Sequence, residues 1–380
     1  MWVLGGSVVG APGGTTGFVV NGARIERWLA GADTPPGDVQ VVDLRPHVLA
    51  PGTIDVHTHG AVECSFSSGP AGDTHAICRY RAQTGCTGLL ATITGEWDEL
   101  LRALDKLGRL TGTDTGGAAL LGIHVEGPFL NAERKGAIGE NTIRPPSIDD
   151  LHRMQDAAMG AIRMMTVAPE VPGAIPVIQA MVRAGIVPSA GHTDATYEAL
   201  RAGIDAGVRK STHTFNAMRP LHHRDPGAVG AILADDRIVA ELIADGAHVH
   251  AGAIHALINA KSPTRVALVT DGVRYAGLPE GVYERPGRGR ATIRDGIAVA
   301  DDGTIAGSVS PMDRNLGLLR ATLSIEHDAL FTMAATVPAA LLGLALKGAL
   351  FPGMDADFAA YNSELRCVAT FIGGRRLPAA

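Results

Sequence analysis

Short apolar runs alternate along this chain with longer stretches of helical periodicity. Val48–Val56, Ala119–Val125, Gly185–Ala190, Val208–Thr212 and Val266–Thr270 read as strands, while Ala174 to Ala184 and Tyr197 to Ala206 read as helices. Apolar runs separated by amphipathic helices predict βα units around a parallel sheet. Each of the five runs ends on a polar residue able to ligate a metal or move a proton: His57-Thr58-His59, Glu126, His192, His213 and Asp271. The carboxyl ends of successive strands are where a (β/α)8 barrel builds its active site. One imidazole proves little in a chain with 14 histidines. An HxH pair on a strand places two rings on one face by alternation alone. Five consecutive strand ends carrying such residues are harder to assign to chance. Three imidazole-bearing segments with a carboxylate suit a divalent metal, and the further carboxylate of Asp271 suits a general base for hydrolysis.

The ends of the chain follow another pattern. Residues 1–48 hold short β-like runs, Phe18–Val20 and Val39–Val42, broken by Gly, Pro and Asp. Residues 351–380 hold Phe358–Tyr361 and Val368–Ile372. They predict an α/β chain: a barrel over 49–350 with a small β-sandwich domain built from both termini. Arg285 to Ile305 predicts a hairpin or lid at the barrel mouth. Ala329–Leu346 is the most hydrophobic stretch, near the lower limit for a membrane span, but it carries Pro338 and reads as a buried barrel helix.

Composition narrows the function. With 380 residues, 46% hydrophobic and 19% charged, the chain can build a large core. A net charge of −6 argues against nucleic acid or an anionic membrane as partner. Cys64, Cys78, Cys86 and Cys367 show no CxxC spacing and read as reduced thiols. No basic, continuously apolar leader opens the chain, so a cytoplasmic location is expected.

Several blocks carry a resemblance. Pro51-Gly-Thr-Ile-Asp-Val-His-Thr-His59 and Gly348-Ala-Leu-Phe-Pro-Gly-Met-Asp-Ala-Asp357 resemble the amidohydrolase superfamily at its two ends. His124-Val-Glu-Gly-Pro-Phe-Leu130, Gly191-His-Thr-Asp194, Thr212-His-Thr-Phe-Asn-Ala-Met218, Asp225-Pro-Gly227, Ile243-Ala-Asp-Gly-Ala-His248 and Leu268-Val-Thr-Asp271 are similar to its N-acetylglucosamine-6-phosphate deacetylase branch. The resemblance implies a barrel with a β-sandwich, a homodimer, and metal-dependent release of acetate from an N-acetylated sugar phosphate. It implies that Glu126, His192 and His213 hold the main metal, with Asp271 as general base and acid. Zinc suits such mixed ligands, with iron or manganese as alternatives. Some members bind a second metal at the HxH pair, so His57 and His59 leave one or two ions per subunit open. No lysine stands at position 126, which argues against a carbamylated-lysine centre.

By the same resemblance, Asn216, Ala217 and His248 hold the phosphate with Arg224 of the neighbouring subunit. Ala137 and Ile138 border the sugar, and Ile305, Ala306 and Gly307 lie over it. The chain departs from the family at Lys135-Gly-Ala-Ile138, where the family has a histidine that touches the sugar hydroxyls. Isoleucine cannot hydrogen-bond. Arg274 and Tyr275 stand where small residues are commoner. A different N-acetylamino sugar or its phosphate, an N-acyl amino acid and a cyclic amide therefore stay open as substrates. A non-catalytic relative is the remaining alternative, and the full ligand set with Asp271 argues against it.

Overall fold

The computed structural model describes residues 1–284, 289–294, 296–301 and 303–378. Eight parallel strands form its centre: β1 Thr53–Thr58, β2 Cys86–Ile93, β3 Ala119–Glu126, β4 Ile162–Val167, β5 Val187–Ala190, β6 Lys210–Ser211, β7 Val239–Ile243 and β8 Val266–Val269. They pair in chain order from β1 to β8. The first and last strands meet at their carboxyl ends. There Asp271 N–H donates to His57 O at 2.9 Å, and the N–H groups of His59 and Gly60 both donate to Gly272 O. A Cβ at Gly272 would lie 1.9 Å from Arg81 Nη2, so this closing seam requires glycine.

Strands buried on both faces need apolar residues throughout, and β2 and β8 are buried along their full length. Eight helices surround the sheet: α1 Ala71–Gln83, α2 Trp97–Leu110, α3 Ile148–Ala157, α4 Ala174–Arg183, α5 Tyr197–Ala206, α6 Gly227–Ala234, α7 Ala251–Lys261 and α8 Met312–Leu323. In α2 the buried Leu100, Ala103, Leu104 and Leu107 recur every three or four residues and form one face. Asp98 and Glu99 in its first turn and Arg109 in its last complement the helix dipole. In α3 the Ser147 hydroxyl accepts from Asp150 N–H and caps the helix.

The barrel is filled in two tiers. Ile54, Val56, Leu90, Met164, Ile243 and Val269 come from five strands and meet in one cluster with Ala339 and Leu342. Side chains from so many strands can meet only inside the barrel. Two residues further along β2 and β4 stand Thr92 and Thr166. With His124, Ser189, Lys210, Thr212 and Glu241 they make a fully buried polar tier below the carboxyl ends.

The terminal segments form two facing sheets. One has Arg24–Ala30, Thr15–Asn21, Trp2–Leu4 and Val41–Asp43 in spatial order. The other has Ser7–Val8, Val48–Pro51, Phe358–Tyr361, Cys367–Ile372 and Arg375–Arg376. Val3, Phe18, Ile25, Leu49, Phe358 and Phe371 share the core between them. The α/β barrel and its terminal β-sandwich thus match the sequence expectation.

Three details differ from it. The run Val48–Val56 is two strands: Val48–Pro51 pairs with Phe358–Tyr361 in the sandwich, and β1 begins at Thr53. The stretch Ala329–Leu346 is helical only to Leu341: His327–Phe331, a π-helical turn Thr332–Thr336 and Val337–Leu341 run on without a gap and end before Gly343 at φ +68°. Among the described residues no helix is long and apolar enough to cross a membrane. The mouth insert is larger than a hairpin: Gly281–Glu284, Arg290–Arg294, Ile297–Ala300 and Ile305–Ser308 make a four-stranded antiparallel sheet. Residues 285–288, 295 and 302, part of that expectation, lie outside the described residues.

Candidate active site

The five polar strand ends converge at the carboxyl rim. Glu126 Oε1 lies 3.1 Å from His213 Nε2 and 3.2 Å from His192 Nε2, and these two ring nitrogens are 3.1 Å apart. Beside them, His57 Nε2 and His59 Nε2 are 3.2 Å apart, each 3.3 Å from Asp271 Oδ1. Glu126 stands between the groups, with Oε1 3.4 Å from His57 Nε2 and Oε2 3.3 Å from His59 Nε2. Each trio, Glu126–His192–His213 and His57–His59–Asp271, brings its ligand atoms within 4.8 Å of one another.

The backbone is bent to achieve this. His192, His213 and Asp271 have φ of +47°, +30° and +47°, a left-handed region costly for residues with a Cβ. All three follow the end of a strand, and Phe215 and Ala217 continue the pattern at +81° and +51°. Such strain persists only where surrounding bonds hold it, and it gathers at functional sites. Gly191 lets His192 turn in tightly: a Cβ there would lie 2.6 Å from Thr212 Cβ and 2.9 Å from Thr166 Cγ2.

The donor chemistry fits divalent cations. His192 Nδ1 lies 3.0 Å from Arg134 O and His57 Nδ1 lies 3.1 Å from Glu241 Oε2. With those nitrogens donating, each Nε2 lone pair faces the cluster, as metal ligation by imidazole requires. Burial opposes ionisation of Glu126 and Asp271. The positive field of His57 and the ring hydrogen bonds outweigh it and hold both carboxyls below their usual range. Burial likewise opposes protonation of His59, yet hydrogen bonds and charge from Asp271 and Glu126 push it up to about 10. Ionised carboxylates this close need positive charge among them: protons on the rings supply it here, and a divalent cation bound to bare ring nitrogens would supply it in their place.

The cluster floors a cavity of about 480 Å³. Gly136, Ala137 and Ile138 line one side, Asn216, Ala217 and His248 another, and Val273 with Thr304 to Gly307 the mouth. Ile305–Ser308 is fixed to the site because Ser308 N–H donates to Asp271 O and Val273 N–H to Ser308 O. His248 Nδ1 lies 2.7 Å from Asp245 Oδ2. Burial works against its protonation, but the hydrogen bond and charge of Asp245 win and raise its pKa.

Of the residues singled out in the sequence, His59, Glu126, His192, His213, Asp271, Ala137, Ile138, Asn216, Ala217, His248, Ile305, Ala306 and Gly307 all line this cavity. His57 lies directly behind it, fully buried. Arg224 does not line the cavity of its own chain. It is exposed, with Nη1 2.8 Å from His223 Nε2. Sequence reasoning passed over Glu241, Lys210 and His124 in the buried tier below: Glu241 takes hydrogen bonds from His57 and His213, Lys210 pairs with Glu241, and the His124 ring packs against that of His57. The available signal was a lone carboxylate within Val239-Ala-Glu-Leu-Ile243, an otherwise apolar strand.

A model of the amidohydrolase family matches residues 48–377. N-acetylglucosamine-6-phosphate deacetylase of Bacillus subtilis (strain 168) is 35% identical over 364 residues, covering 94% of this chain and 92% of that protein. N-acetylgalactosamine-6-phosphate deacetylase of Escherichia coli O157:H7 is 30% identical, covering 90% of each. A mutant N-acetyl-D-glucosamine-6-phosphate deacetylase of Mycobacterium smegmatis, solved in complex with N-acetyl-D-glucosamine-6-phosphate, superposes with a TM-score of 0.90 at 32% identity over 99% of both chains. Likeness of that extent places the chain in the amidohydrolase family, among relatives of the N-acetylglucosamine-6-phosphate deacetylases.

Proposed function

We propose that this chain hydrolyses the acetamide of N-acetylglucosamine 6-phosphate, giving glucosamine 6-phosphate and acetate. The observation that carries the proposal is the convergence of Glu126, His192 and His213 beside Asp271 at the floor of the cavity. Glu126, His192 and His213 would hold one divalent cation, and His57, His59 and Asp271 a second, with Glu126 between them. Zinc suits the nitrogen and oxygen donors, and iron or manganese fits the same set. Such an ion polarises a carbonyl and makes a water acidic enough to lose a proton near neutral pH.

The chain's own groups do the remainder. Asp271 is ionised at neutral pH, so it can accept the proton of the attacking water and then deliver it to the departing amine. His248, kept protonated by Asp245, supplies a positive hydrogen bond for a phosphate, together with Asn216 and Ala217. Ile138 and Ile305–Gly307 wall the cavity and keep bulk water from the reacting bond. Arg224, exposed on its own chain, reaches the phosphate of a neighbouring subunit in a homodimer. Four free thiols suit a reducing, cytosolic setting.

A second reading concerns the sugar. Ile138 lines the cavity without any hydrogen-bonding group, and the E. coli relative is named for N-acetylgalactosamine 6-phosphate. Sugar selectivity at that edge therefore rests on other groups.

Asp271→Asn tests the mechanism. The amide keeps the side chain's size but cannot take up a proton, so kcat falls by about 10²–10⁴-fold with folding and metal at Glu126–His192–His213 retained. A variant running near the wild-type rate would remove Asp271 from the reaction.

A further inference from the structure

Below the ligand cluster lies a charge pair that the chemistry above leaves unused. Lys210 on β6 and Glu241 on β7 are both fully buried, with Nζ 2.6 Å from Oε1. Such a pair is a poor source of stability, because the cost of desolvating two ions rivals their attraction. Its value lies in what else the carboxylate holds. Glu241 Oε2 accepts from His57 Nδ1 at 3.1 Å and from the His213 backbone N–H at 2.7 Å. His57 belongs to one ligand trio and His213 to the other. A single oxygen thus supports a member of each.

Both contacts govern ligand geometry. Donation from Nδ1 fixes the His57 ring and leaves Nε2 bare toward the cluster. The neighbouring His124 offers His57 no substitute, since its own ring nitrogens are engaged by Val56 O and Thr166 Oγ1. At His213, the chain turns through φ +30°. Glu241 pins that strained turn twice: its carboxylate takes the N–H of His213, and its main-chain oxygen takes the N–H of Thr214 at 2.9 Å.

We propose that Glu241, with Lys210 as its counter-ion, is a positioning residue that sets the metal affinity of both ligand trios at once. The proposal rests on reading those trios as metal ligands, and the metal content of the wild-type protein checks that reading separately. Glu241→Gln offers one acceptor oxygen and an NH₂: with the oxygen toward Lys210 the NH₂ faces the donors of His57 and His213, and with the oxygen toward the histidines the NH₂ faces the Lys210 ammonium, so either setting breaks the arrangement. Competition against a chelator should then show zinc bound about 10–100-fold more weakly at both trios, the usual scale for losing such a partner. The visible spectrum of the cobalt(II)-loaded variant should shift, while circular dichroism of the metal-free protein stays as in the wild type. Glu241→Asp keeps the charge beside Lys210 but withdraws the carboxylate by one methylene. It should fold and still lose affinity, and it decides the matter if the glutamine variant does not fold. A folded variant with wild-type zinc affinity and an unshifted cobalt spectrum overturns the proposal, even if its thermal stability has dropped. Wild-type protein that binds no divalent metal would overturn the ligand reading, and this proposal with it.

Discussion

His192, His213 and Asp271 share one local design: a strand ends, the backbone turns left-handed, and the side chain is thrown across the barrel mouth. The residue types were legible in the sequence because each stands just after an apolar run, and the structure brings all three to one cavity. The supports were not. Glu241 and Lys210 lie within strands, and nothing in the local pattern says that they meet across adjacent strands or that His57 needs a partner. His248 yields a pH prediction. Its folded-state pKa is raised, so the ring stays protonated above the ordinary histidine range and loses its charge only at higher pH. Affinity for a phosphorylated ligand should therefore hold through neutral pH and fall as pH rises through that elevated pKa. Binding of inorganic phosphate followed against pH checks this. His248→Ala should weaken binding by about 1.5–3 kcal/mol, the worth of a charged hydrogen bond, and abolish the pH step.

Five of the eight barrel strands and two of the surrounding helices were readable from periodicity; β2, β4 and β7, which stand between those five, were not. Ala174–Arg183 and Tyr197–Ala206 stand where the amphipathic pattern put them. Failures came where two elements share one apolar run. Nothing hydrophobic separates Val48–Pro51 from β1, because both are buried, in different sheets. The run Ala329–Leu346 passes through a π-helical turn just before Pro338 and ends at Gly343, without any change of polarity. Helix burial also supplies a stability prediction. Leu104 of α2 is fully buried on the face turned to the sheet, far from the ligand residues in sequence. Leu104→Ala should lower the unfolding free energy by about 2–5 kcal/mol, read by urea titration, with KM unchanged.

The whole molecule closes through its ends. Phe358, near the C-terminus, meets Phe18 edge-on at 4.9 Å and stacks on Phe371 at 4.3 Å. Its strand lies between Val48–Pro51 and Cys367–Ile372, and β1 follows Val48–Pro51 after a single glycine. Composition announced two β-rich termini, but only the fold reveals that they interleave and lead directly into the strand carrying His57 and His59. Phe358→Ala should cost about 3–5 kcal/mol and lower the melting temperature, while the zinc affinity of protein that remains folded stays unchanged. The substrate edge at Ile138 is where the sequence alone could not choose among sugars, since an apolar wall excludes hydrogen bonds without naming what replaces them. Amine release from N-acetylglucosamine 6-phosphate, measured beside unphosphorylated N-acetylglucosamine and N-acetylgalactosamine 6-phosphate on protein of known metal content, decides whether this chain is the deacetylase of that sugar phosphate. Metal-dependent turnover with a strong preference for N-acetylglucosamine 6-phosphate is expected. Fully metal-loaded protein that turns over none of the three would contradict it.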